Sequence, residues 1–273
     1  MEDSNFSGIS KEQIRRYGRQ ISLPEIGEKG QKVLLDSKVL IIGAGGLGSP
    51  NALYLAAAGI GTIGIIDDDC VELSNLQRQI VHGTKDLGRP KVESAKETIA
   101  GINPDVTVVT YRERFTFENA MGIARDYDIV VAACDSFATR HLANDACVLL
   151  GKPNVYGSVF GFEGQASLFV PGEGPCYRCL FPSPPPAEML PDSREAGVMG
   201  FLPGIIGLIQ TAETIKHLLR IGKTLRNRLL LFDALKMEFR YMKTQRDPAC
   251  PVCGDNPEIK ELKDRKDYIN DRI

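Results

Sequence analysis

The sequence predicts an α/β fold with a Rossmann-like, mainly parallel sheet that continues into C-terminal antiparallel strands. An apolar, β-branched run at residues 38–42 leads through a glycine-rich turn into an Ala- and Leu-rich segment, which is the order strand, turn, helix. Further apolar runs alternate with helical segments, and parallel strands need such crossovers between them. Since 43% of the residues are hydrophobic and 25% are charged, the composition is that of a globular protein.

The predicted strands form two groups along the chain. The parallel group is expected at 38–42, 62–66, 106–110 and 128–133, with a helix at 92–99 before the third strand. Antiparallel strands are expected near 165–170, 229–233 and 238–243, with one long apolar helix from about 204 to 220 among them. A single large domain therefore accounts for most of the chain.

Four regions follow from this order. Residues 1–37 form an N-terminal helical arm, because Ser10 and Gln13 have the spacing of a capping box. The Rossmann-like, nucleotide-binding region covers 38–160, and 161–254 is a C-terminal region of the same domain. A proline-rich surface loop is expected at 182–191. The charged tail, 255–273, has only a weak helical pattern, so we expect it to be peripheral.

Charge and hydropathy exclude several function classes. The net charge of -2 gives no general attraction to nucleic acid or to an anionic membrane, so neither is an expected partner. No apolar run reaches the ~18 residues of a membrane span. Because the polar first ten residues lack the apolar core of a signal peptide, the expected location is cytoplasmic.

The glycine turn points to a nucleotide. Gly43, Gly45 and Gly48 follow a strand and precede a helix, and Asp67 ends the next strand. Glycines let the backbone approach phosphates, the helix start offers free N–H groups, and the acid can accept hydrogen bonds from ribose hydroxyls. The alternative reading is that the glycines only allow tight strand-to-helix packing.

Polar and basic residues after Asp67 favour nucleotidyl transfer over hydride transfer. The segment 74–79 and Lys91 add amide, guanidinium and ammonium groups, which suit the charge that spreads over an α-phosphate and a leaving pyrophosphate. Alternatively, Arg78 and Lys91 lie on a solvated face. Asp135 ends a predicted strand, where open α/β sheets bind ligands, although it could instead be a helix N-cap.

Two Cys-x-x-Cys pairs predict a four-thiolate zinc site. They are Cys176 with Cys179, and Cys250 with Cys253. Four cysteines at this type of spacing suit a closed, tetrahedral, structural zinc site. The alternative is a pair of independent redox motifs, since Cys-Pro-Val-Cys resembles a thioredoxin motif. Neither pair, however, follows an early strand as a thioredoxin motif does.

Taken together, these motifs resemble the ThiF/MoeB/HesA family, whose members are related to the ubiquitin-activating enzymes. The resemblance covers about residues 13–254. It is carried by Arg19-Gln20, Gly43-Ala44-Gly45-Gly46-Leu47-Gly48, Asp67-x-Asp69, Ser74-Asn75-Leu76-Gln77-Arg78-Gln79, Pro90-Lys91-Val92-Glu93, Cys134-Asp135 and both cysteine pairs.

The resemblance implies a cofactor set and a list of site residues. ATP, Mg²⁺ and Zn²⁺ are the implied cofactors, with Asp135 helping to hold magnesium and Arg19 reaching the site of the neighbouring subunit in a homodimer. The implied catalytic residues are Arg19, Arg78, Lys91 and Asp135. The implied nucleotide-binding residues are Gly43, Gly45, Gly46, Gly48, Asp67, Asp69, Ser74, Asn75, Gln77, Arg78, Lys91, Asp135 and Ser136.

The implied function is ATP-dependent adenylation of the C-terminal glycine of a ubiquitin-fold sulfur-carrier protein with a Gly-Gly tail, for molybdopterin or thiamine sulfur transfer. A separate protein would donate the sulfur. The alternatives are activation of another carboxylate, such as a modified tRNA base, or a nucleotide-binding adaptor without catalysis. An NAD dehydrogenase is disfavoured, because none of the three histidines lies in a recognisable proton-relay motif.

One position departs from the family pattern. Several relatives carry a cysteine in the loop before a Glu-Ala-Gly segment, and this chain has Ser193 there. A hydroxyl is far less ionised than a thiol near neutral pH, so the enzyme is expected to stop at the acyl adenylate. Of the other cysteines, Cys134 and Cys147 are expected to be buried, and Cys70 lies beside acidic residues that disfavour its thiolate.

Overall fold

An eight-stranded sheet forms the centre of the computed structural model, which describes residues 8–184 and 197–268. Its strands are β1 (Lys38–Ile42), β2 (Thr62–Ile66), β3 (Thr107–Tyr111), β4 (Ile129–Ala132), β5 (Asn154–Phe160), β6 (Glu163–Phe169), β7 (Arg228–Asp233) and β8 (Glu238–Lys243). Their spatial order is β3-β2-β1-β4-β5-β6-β7-β8.

The sheet changes from parallel to antiparallel at β5. Strands β1 to β5 pair in parallel, and β5–β6, β6–β7 and β7–β8 pair in antiparallel fashion, which confirms the predicted mixed sheet. After β3 the chain returns to the other side of β1 to form β4. Ligands of open α/β sheets bind at such a switch point, outside the carboxyl ends of the strands. Strand β5 was missing from the predicted set.

Helices cover both faces of the parallel half. They are α1 (Lys11–Ile21), α2 (Gly27–Asp36), α3 (Gly48–Ala58), α4 (Lys91–Ile102), α5 (Ala120–Ala124), α6 (Phe137–Leu150), α7 (Tyr177–Leu180) and α8 (Phe201–Leu219). Ile41 of β1 packs with α3 and α8, whereas its neighbour Ile42 packs with α5 and α6. Side chains alternate across a strand, so β1 contributes to both cores. No helix of the described residues has the length and apolar composition needed to cross a membrane.

Helix α1 is anchored at the amino-terminal edge of the sheet. Ser10 and Gln13 form the predicted capping box. Tyr17 is buried against Gly59, and its hydroxyl accepts a hydrogen bond from Asn103 Nδ2 at 2.8 Å. Gln20 Nε2 donates to Ala58 O at 3.1 Å. Since α3 and α4 end where β2 and β3 begin, these contacts hold the arm at the end of the sheet opposite the glycine turn.

The C-terminal segment is not peripheral, contrary to expectation. Ile259 is buried beside the cysteine cluster, and Leu262 packs against the core beneath α5 and α6. Tyr268 Oη donates to Asp145 Oδ2 at 2.6 Å, and Asp267 forms an ion pair with Arg178 at 3.0 Å. The dense charge of this segment predicts a solvated position, but Asp267 and Tyr268 bind the buried side chains of Arg178 and Asp145.

The predicted proline-rich loop lies largely outside the described residues. Its first residues, 182–184, follow α7, and the chain is described again from residue 197, shortly before α8. Ser193 therefore also lies outside the described part, and its proposed consequence stays a prediction.

Candidate functional site

The glycine turn fits closely between β1, β4 and the start of α8. Gly43 has a φ of +98°, and a Cβ there would lie 2.9 Å from Ala133 O. A Cβ on Gly48 would collide with the carbonyl oxygen of Gly43. Gly46 lies against Pro203, where a Cβ would be 3.0 Å from the proline ring, and Gly45 is more open. Tight packing thus explains part of the motif, and it leaves a side-chain-free turn at the carboxyl end of β1.

Asp67 clamps this turn from the next strand. Its carboxylate accepts hydrogen bonds from Ala44 N at 2.8 Å and from Asp69 N at 2.9 Å. Burial raises the pKa of Asp67 above its usual value, while the charge of Lys91 and the two N–H donors act in the opposite direction. Each oxygen keeps a lone pair, so Asp67 remains able to accept a hydrogen bond from a ribose hydroxyl.

His82 contacts the carbonyl oxygen of Ala44, the residue whose N–H donates to Asp67. Sequence reasoning missed this contact. Its Nε2 lies 3.0 Å from Ala44 O, and its Nδ1 lies 2.9 Å from Ser94 Oγ. Because a carbonyl only accepts, Nε2 carries the proton in this arrangement. No pattern around His82 in the sequence indicates this contact, which depends on the return of the chain to the glycine turn.

Lys91 is buried, so the solvated-face reading is wrong for this residue. Its side chain is 6% exposed, and Nζ lies 2.7 Å from Asp69 Oδ2. The Lys91 N–H also donates to Asp69 O at 3.0 Å. Asp69 therefore fixes the lysine at the start of α4, close enough to Asp67 to influence its pKa.

The segment 73–79 forms a turn beside the glycine turn. Asn75 O accepts hydrogen bonds from the N–H groups of Arg78 and Gln79. Arg78 Nη1 donates to Ser74 O at 3.1 Å, and the side chain of Arg78 runs alongside Gly46. The carbonyl of Gln77 touches Gly200, just before α8. The structure thus brings this segment to the carboxyl edge, with Ser74 and Gln77 exposed and Arg78 half-buried.

Asp135 is exposed beyond the end of β4, next to the glycine turn. The alternative reading of Asp135 as a helix N-cap is wrong, because Ser136 is the N-cap of α6 and its Oγ accepts from Thr139 N at 3.0 Å. Within residues 8–184 and 197–268, the Asp135 carboxylate has no hydrogen bond or ion pair. It is an oxygen donor of the type that Mg²⁺ prefers.

Arg19 is not brought to this site within one subunit. It is exposed on α1, at the opposite edge of the sheet. In the described part of the chain its guanidinium has no ion pair or hydrogen bond. The expected role of Arg19 in the site of a neighbouring subunit stays a prediction.

The four predicted cysteines form one cluster. The sulfur atoms of Cys176 and Cys179 lie 3.9 Å apart, those of Cys176 and Cys250 3.6 Å, and those of Cys179 and Cys253 3.4 Å. A tetrahedral zinc with Zn–S bonds of about 2.3 Å requires S···S separations of roughly 3.8 Å. All four sulfur atoms lie within 4.8 Å of one another, so the residues fit a single metal ion better than two independent redox pairs.

Two of the three remaining cysteines are poor nucleophiles, as expected. Cys134 and Cys147 are buried. Burial raises the pKa of Cys134 to about 12 and also raises the pKa of Cys147. Cys70 is half-buried and directly follows the acidic residues 67–69. A thiolate at Cys134 or Cys147 is therefore disfavoured.

The chain is similar to several known proteins over most of its length. The ThiF family profile matches residues 17–252. The chain is 50% identical over 260 residues to the sulfur carrier protein adenylyltransferase of Thermus thermophilus, covering 93% of this chain and 96% of that protein. It is 48% identical over 243 residues to the SAMP-activating enzyme E1 of Haloferax volcanii, covering 89% and 90% of the two chains.

Longer relatives and a solved structure complete the comparison. The adenylyltransferase and sulfurtransferase MOCS3 of Arabidopsis thaliana is 49% identical over 250 residues, and the match covers 91% of this chain but only 54% of that protein. The crystal structure of E. coli MccB with ATP has a TM-score of 0.78 at 24% identity, covering 90% of this chain and 76% of that chain. The likeness to MccB shows a shared fold.

Proposed function

Because the chain belongs to the ThiF family, we propose that it uses ATP to adenylate the C-terminal glycine of a ubiquitin-fold sulfur-carrier protein. The observation that carries the proposal is the convergence of the glycine turn, Asp67, Lys91 and Asp135 at one edge of the sheet. The near full-length match to a sulfur carrier protein adenylyltransferase supports it further. Molybdopterin and thiamine synthesis are the pathways in which we would look for the carrier.

The reaction needs charge neutralisation and alignment rather than a base. The carrier's terminal carboxylate is already ionised at neutral pH, so an oxygen of it can attack the α-phosphorus directly. A P–O bond forms, the bond from the α-phosphorus to the bridging oxygen breaks, and pyrophosphate leaves with that electron pair. Negative charge builds on the phosphate oxygens, and positioned cations stabilise it.

The residues of the site divide this work. The turn from Gly43 to Gly48 would hold phosphates through backbone N–H groups, and Asp67 would bind the ribose. Lys91 and Arg78 would neutralise the phosphates. Asp135 would hold Mg²⁺, which adds further positive charge when bound. Asp69, Ser74, Asn75, Gln77 and Ser136 would complete the pocket.

A homodimer would supply the missing arginine. Helix α3 has 11 residues and runs from the glycine turn to the edge where α1 is anchored. At 1.5 Å per residue this is roughly 16 Å, too far for Arg19 to reach its own nucleotide site. We therefore assign Arg19 to the site of the partner subunit, where it would stabilise the polyphosphate as an arginine finger does.

Zinc at the four cysteines would be structural, because four thiolates leave no open coordination position for chemistry. The sulfur that follows adenylation would come from another protein. Unpaired cysteines suit a reducing compartment, so a cytoplasmic location is proposed.

ATP–pyrophosphate exchange tests this function. We expect exchange only when a carrier with an intact Gly-Gly tail is present, and a carrier heavier by one AMP in the mass spectrum. Exchange that depends on RNA instead would identify a modified tRNA base as the substrate. ATP binding without exchange, across a panel of carriers, would indicate an adaptor.

A further inference from the structure

Arg140 is a buried cation that forms no ion pair with the described residues, although Asp135 lies near enough for its negative charge to act on the guanidinium. It lies in the first turns of α6 with 6% of its surface exposed. Its Nε donates to Cys134 O at 3.3 Å, and no carboxylate of residues 8–184 or 197–268 forms an ion pair with it. Arg178, which is also buried, has the usual arrangement, because Asp145 neutralises it. Buried charges in proteins are normally paired, so Arg140 is an exception that needs an explanation.

A second polar group beside Arg140 also lacks a partner. The Arg140 guanidinium lies 5.9 Å from the ring centre of Tyr156, and Tyr177 packs against the same ring at 5.2 Å. The Tyr177 hydroxyl is buried and has no hydrogen-bond partner among the described residues. An aromatic ring can face a guanidinium, but it cannot accept from most of the five N–H donors. Among the described residues, the other N–H groups of Arg140 and the Tyr177 hydroxyl therefore have no hydrogen-bonding partner, and they lie at the same place.

The position of this pair relates it to the nucleotide site. Cys134, whose carbonyl Arg140 contacts, is the residue before Asp135. Tyr156 pairs with Ala132 across β4 and β5. In the strand order β1-β4-β5, Asp135 at the end of β4 thus stands between the glycine turn and the Arg140 pair.

We propose that Arg140 and the Tyr177 hydroxyl together bind an anionic oxygen of the reactants. The proposal rests on the adenylation function. The oxygen can belong to the carrier's terminal carboxylate or to a phosphate of the nucleotide. The position of the pair favours the carboxylate. The glycine turn and Lys91, which would bind the phosphates, lie on the other side of Asp135. A guanidinium holds a carboxylate by two parallel hydrogen bonds, which would aim its oxygen at the α-phosphorus.

Steady-state exchange kinetics test the pair with three variants. Arg140→Met removes the charge at similar length, and Tyr177→Phe removes only the hydroxyl. Arg125→Met is the matched control, since Arg125 Nε also donates to a backbone carbonyl, Met121 O at 3.1 Å, but is exposed. Loss of a charge-assisted hydrogen bond should raise one KM about 10-fold or more in Arg140→Met and less in Tyr177→Phe. The control should match the wild type.

The affected substrate identifies the source of the oxygen. If it is the carboxylate, the KM for the carrier rises, and wild-type protein binds the carrier more tightly than a carrier with an amidated C-terminus. Arg140→Met would then bind both forms equally. If it is a phosphate, the KM and the Kd for ATP rise instead.

A variant that misfolds must be distinguished from a folded variant with altered kinetics. Zinc content and thermal melting report on the fold, and Arg140→Lys with Tyr177→Phe decides the matter if Arg140→Met does not fold. Normal KM values for both substrates in folded variants would overturn the proposal. Absence of carrier-dependent exchange in the wild type would instead overturn the adenylation function.

Discussion

Arg178 and Asp145 form an ion pair that is closed to solvent, with side chains 1% and 0% exposed. Arg178 Nε lies 2.8 Å and 2.9 Å from the two carboxylate oxygens. The arginine stands between Cys176 and Cys179, so the pair joins the cysteine cluster to α6. The hydroxyl of Tyr268 reaches the same carboxylate, which ties the C-terminal segment to this junction.

Removing one member of this pair should destabilise the protein strongly. Asp145→Ala leaves the buried guanidinium with only the more exposed Asp267 as its ion-pair partner, and we expect the free energy of unfolding to fall by about 3–5 kcal/mol. Tyr268→Phe loses only a hydrogen bond to a charged group, for which about 1.5–3 kcal/mol is expected. Denaturant titration measures both. Tyr54→Phe, with an exposed ring, is the control, and equal stability of Tyr268→Phe and Tyr54→Phe would contradict the assignment.

Asp135→Ala should abolish carrier-dependent pyrophosphate exchange without unfolding the protein. The carboxylate is exposed and makes no contact that holds α6, because Ser136 caps that helix. Removing a group that stabilises the transition state commonly costs about 100-fold or more in rate. Asp105→Asn, an exposed acid at the opposite edge of the sheet, should retain full exchange. Unchanged exchange in Asp135→Ala would remove this residue from the mechanism.

Mixing two inactive proteins should restore activity if Arg19 acts in trans. Arg19→Ala and Lys91→Ala each destroy both sites of their own homodimer, whereas a mixed dimer has one site with both groups. After subunit exchange, about a quarter of the wild-type activity is expected if each site requires one arginine and one lysine from different subunits. Arg15→Ala, one turn earlier on α1, serves as the control. If exchange of tagged subunits is demonstrated and the mixture stays inactive, the assignment fails.

The cysteine cluster should hold about one zinc per chain, as a four-thiolate site does. Cys250→Ser should lose the metal and melt at lower temperature, since metal binding in such sites is linked to folding. Cys70→Ser, outside the cluster, should keep both properties. Elemental analysis and thermal melting provide the measurements. A metal-free protein with a reversible disulfide between Cys250 and Cys253 would contradict structural zinc.

Stability should rise with pH through the region around pH 6.5, and His82 should contribute to that rise. Burial lowers the pKa of His82 below its ordinary value of 6.5, helped by the charge of Lys91 and opposed by the contact with Ala44 O and the charge of Asp86. The unfolded chain therefore binds the proton more readily, and stability is lost as pH falls below about 6.5. Asp67 has the opposite effect, because burial raises its pKa in the folded protein. The stability that Asp67 contributes is therefore lost as the pH rises above its ordinary pKa of 3.8.

Melting temperatures at pH 5.5 and 7.5 would reveal this dependence. His82→Gln keeps an N–H donor for Ala44 O but cannot titrate, so the difference between the two pH values should be smaller than in the wild type. An equal difference in both proteins would show that His82 does not titrate in this range.

Local patterns made much of the fold predictable, and long-range contacts explain what was missed. The glycine turn, the capping box at Ser10 and the cysteine spacing are local features, so the sequence displays them directly. Strand β5 begins Asn-Val-Tyr-Gly-Ser, which has few β-branched residues, and its place is fixed by pairing with β4 and β6. Its strand character depends on tertiary contacts that no short window contains.

The site was predicted by residue type, but its internal contacts were not. Lys91 was expected beside phosphates, and its ion pair with Asp69 could not be anticipated because it forms across the turn after β2. His82 and Arg140 lie outside every motif, and only the return of α4 and α6 to the carboxyl edge reveals their neighbours. The C-terminal segment was misjudged because charge density does not show whether a partner is buried.

The anchoring of α1 at the amino-terminal edge has a consequence for how the enzyme would respond to its own concentration. Tyr17 and Gln20 hold the helix there, so a solitary subunit would carry a nucleotide pocket without an arginine finger. Specific activity would then decline on dilution below the dissociation constant of the dimer. Subunits that lack both Arg19 and Lys91, when present in excess, would capture normal subunits in mixed pairs in which neither site is complete, so such a copy would suppress the output of a normal copy.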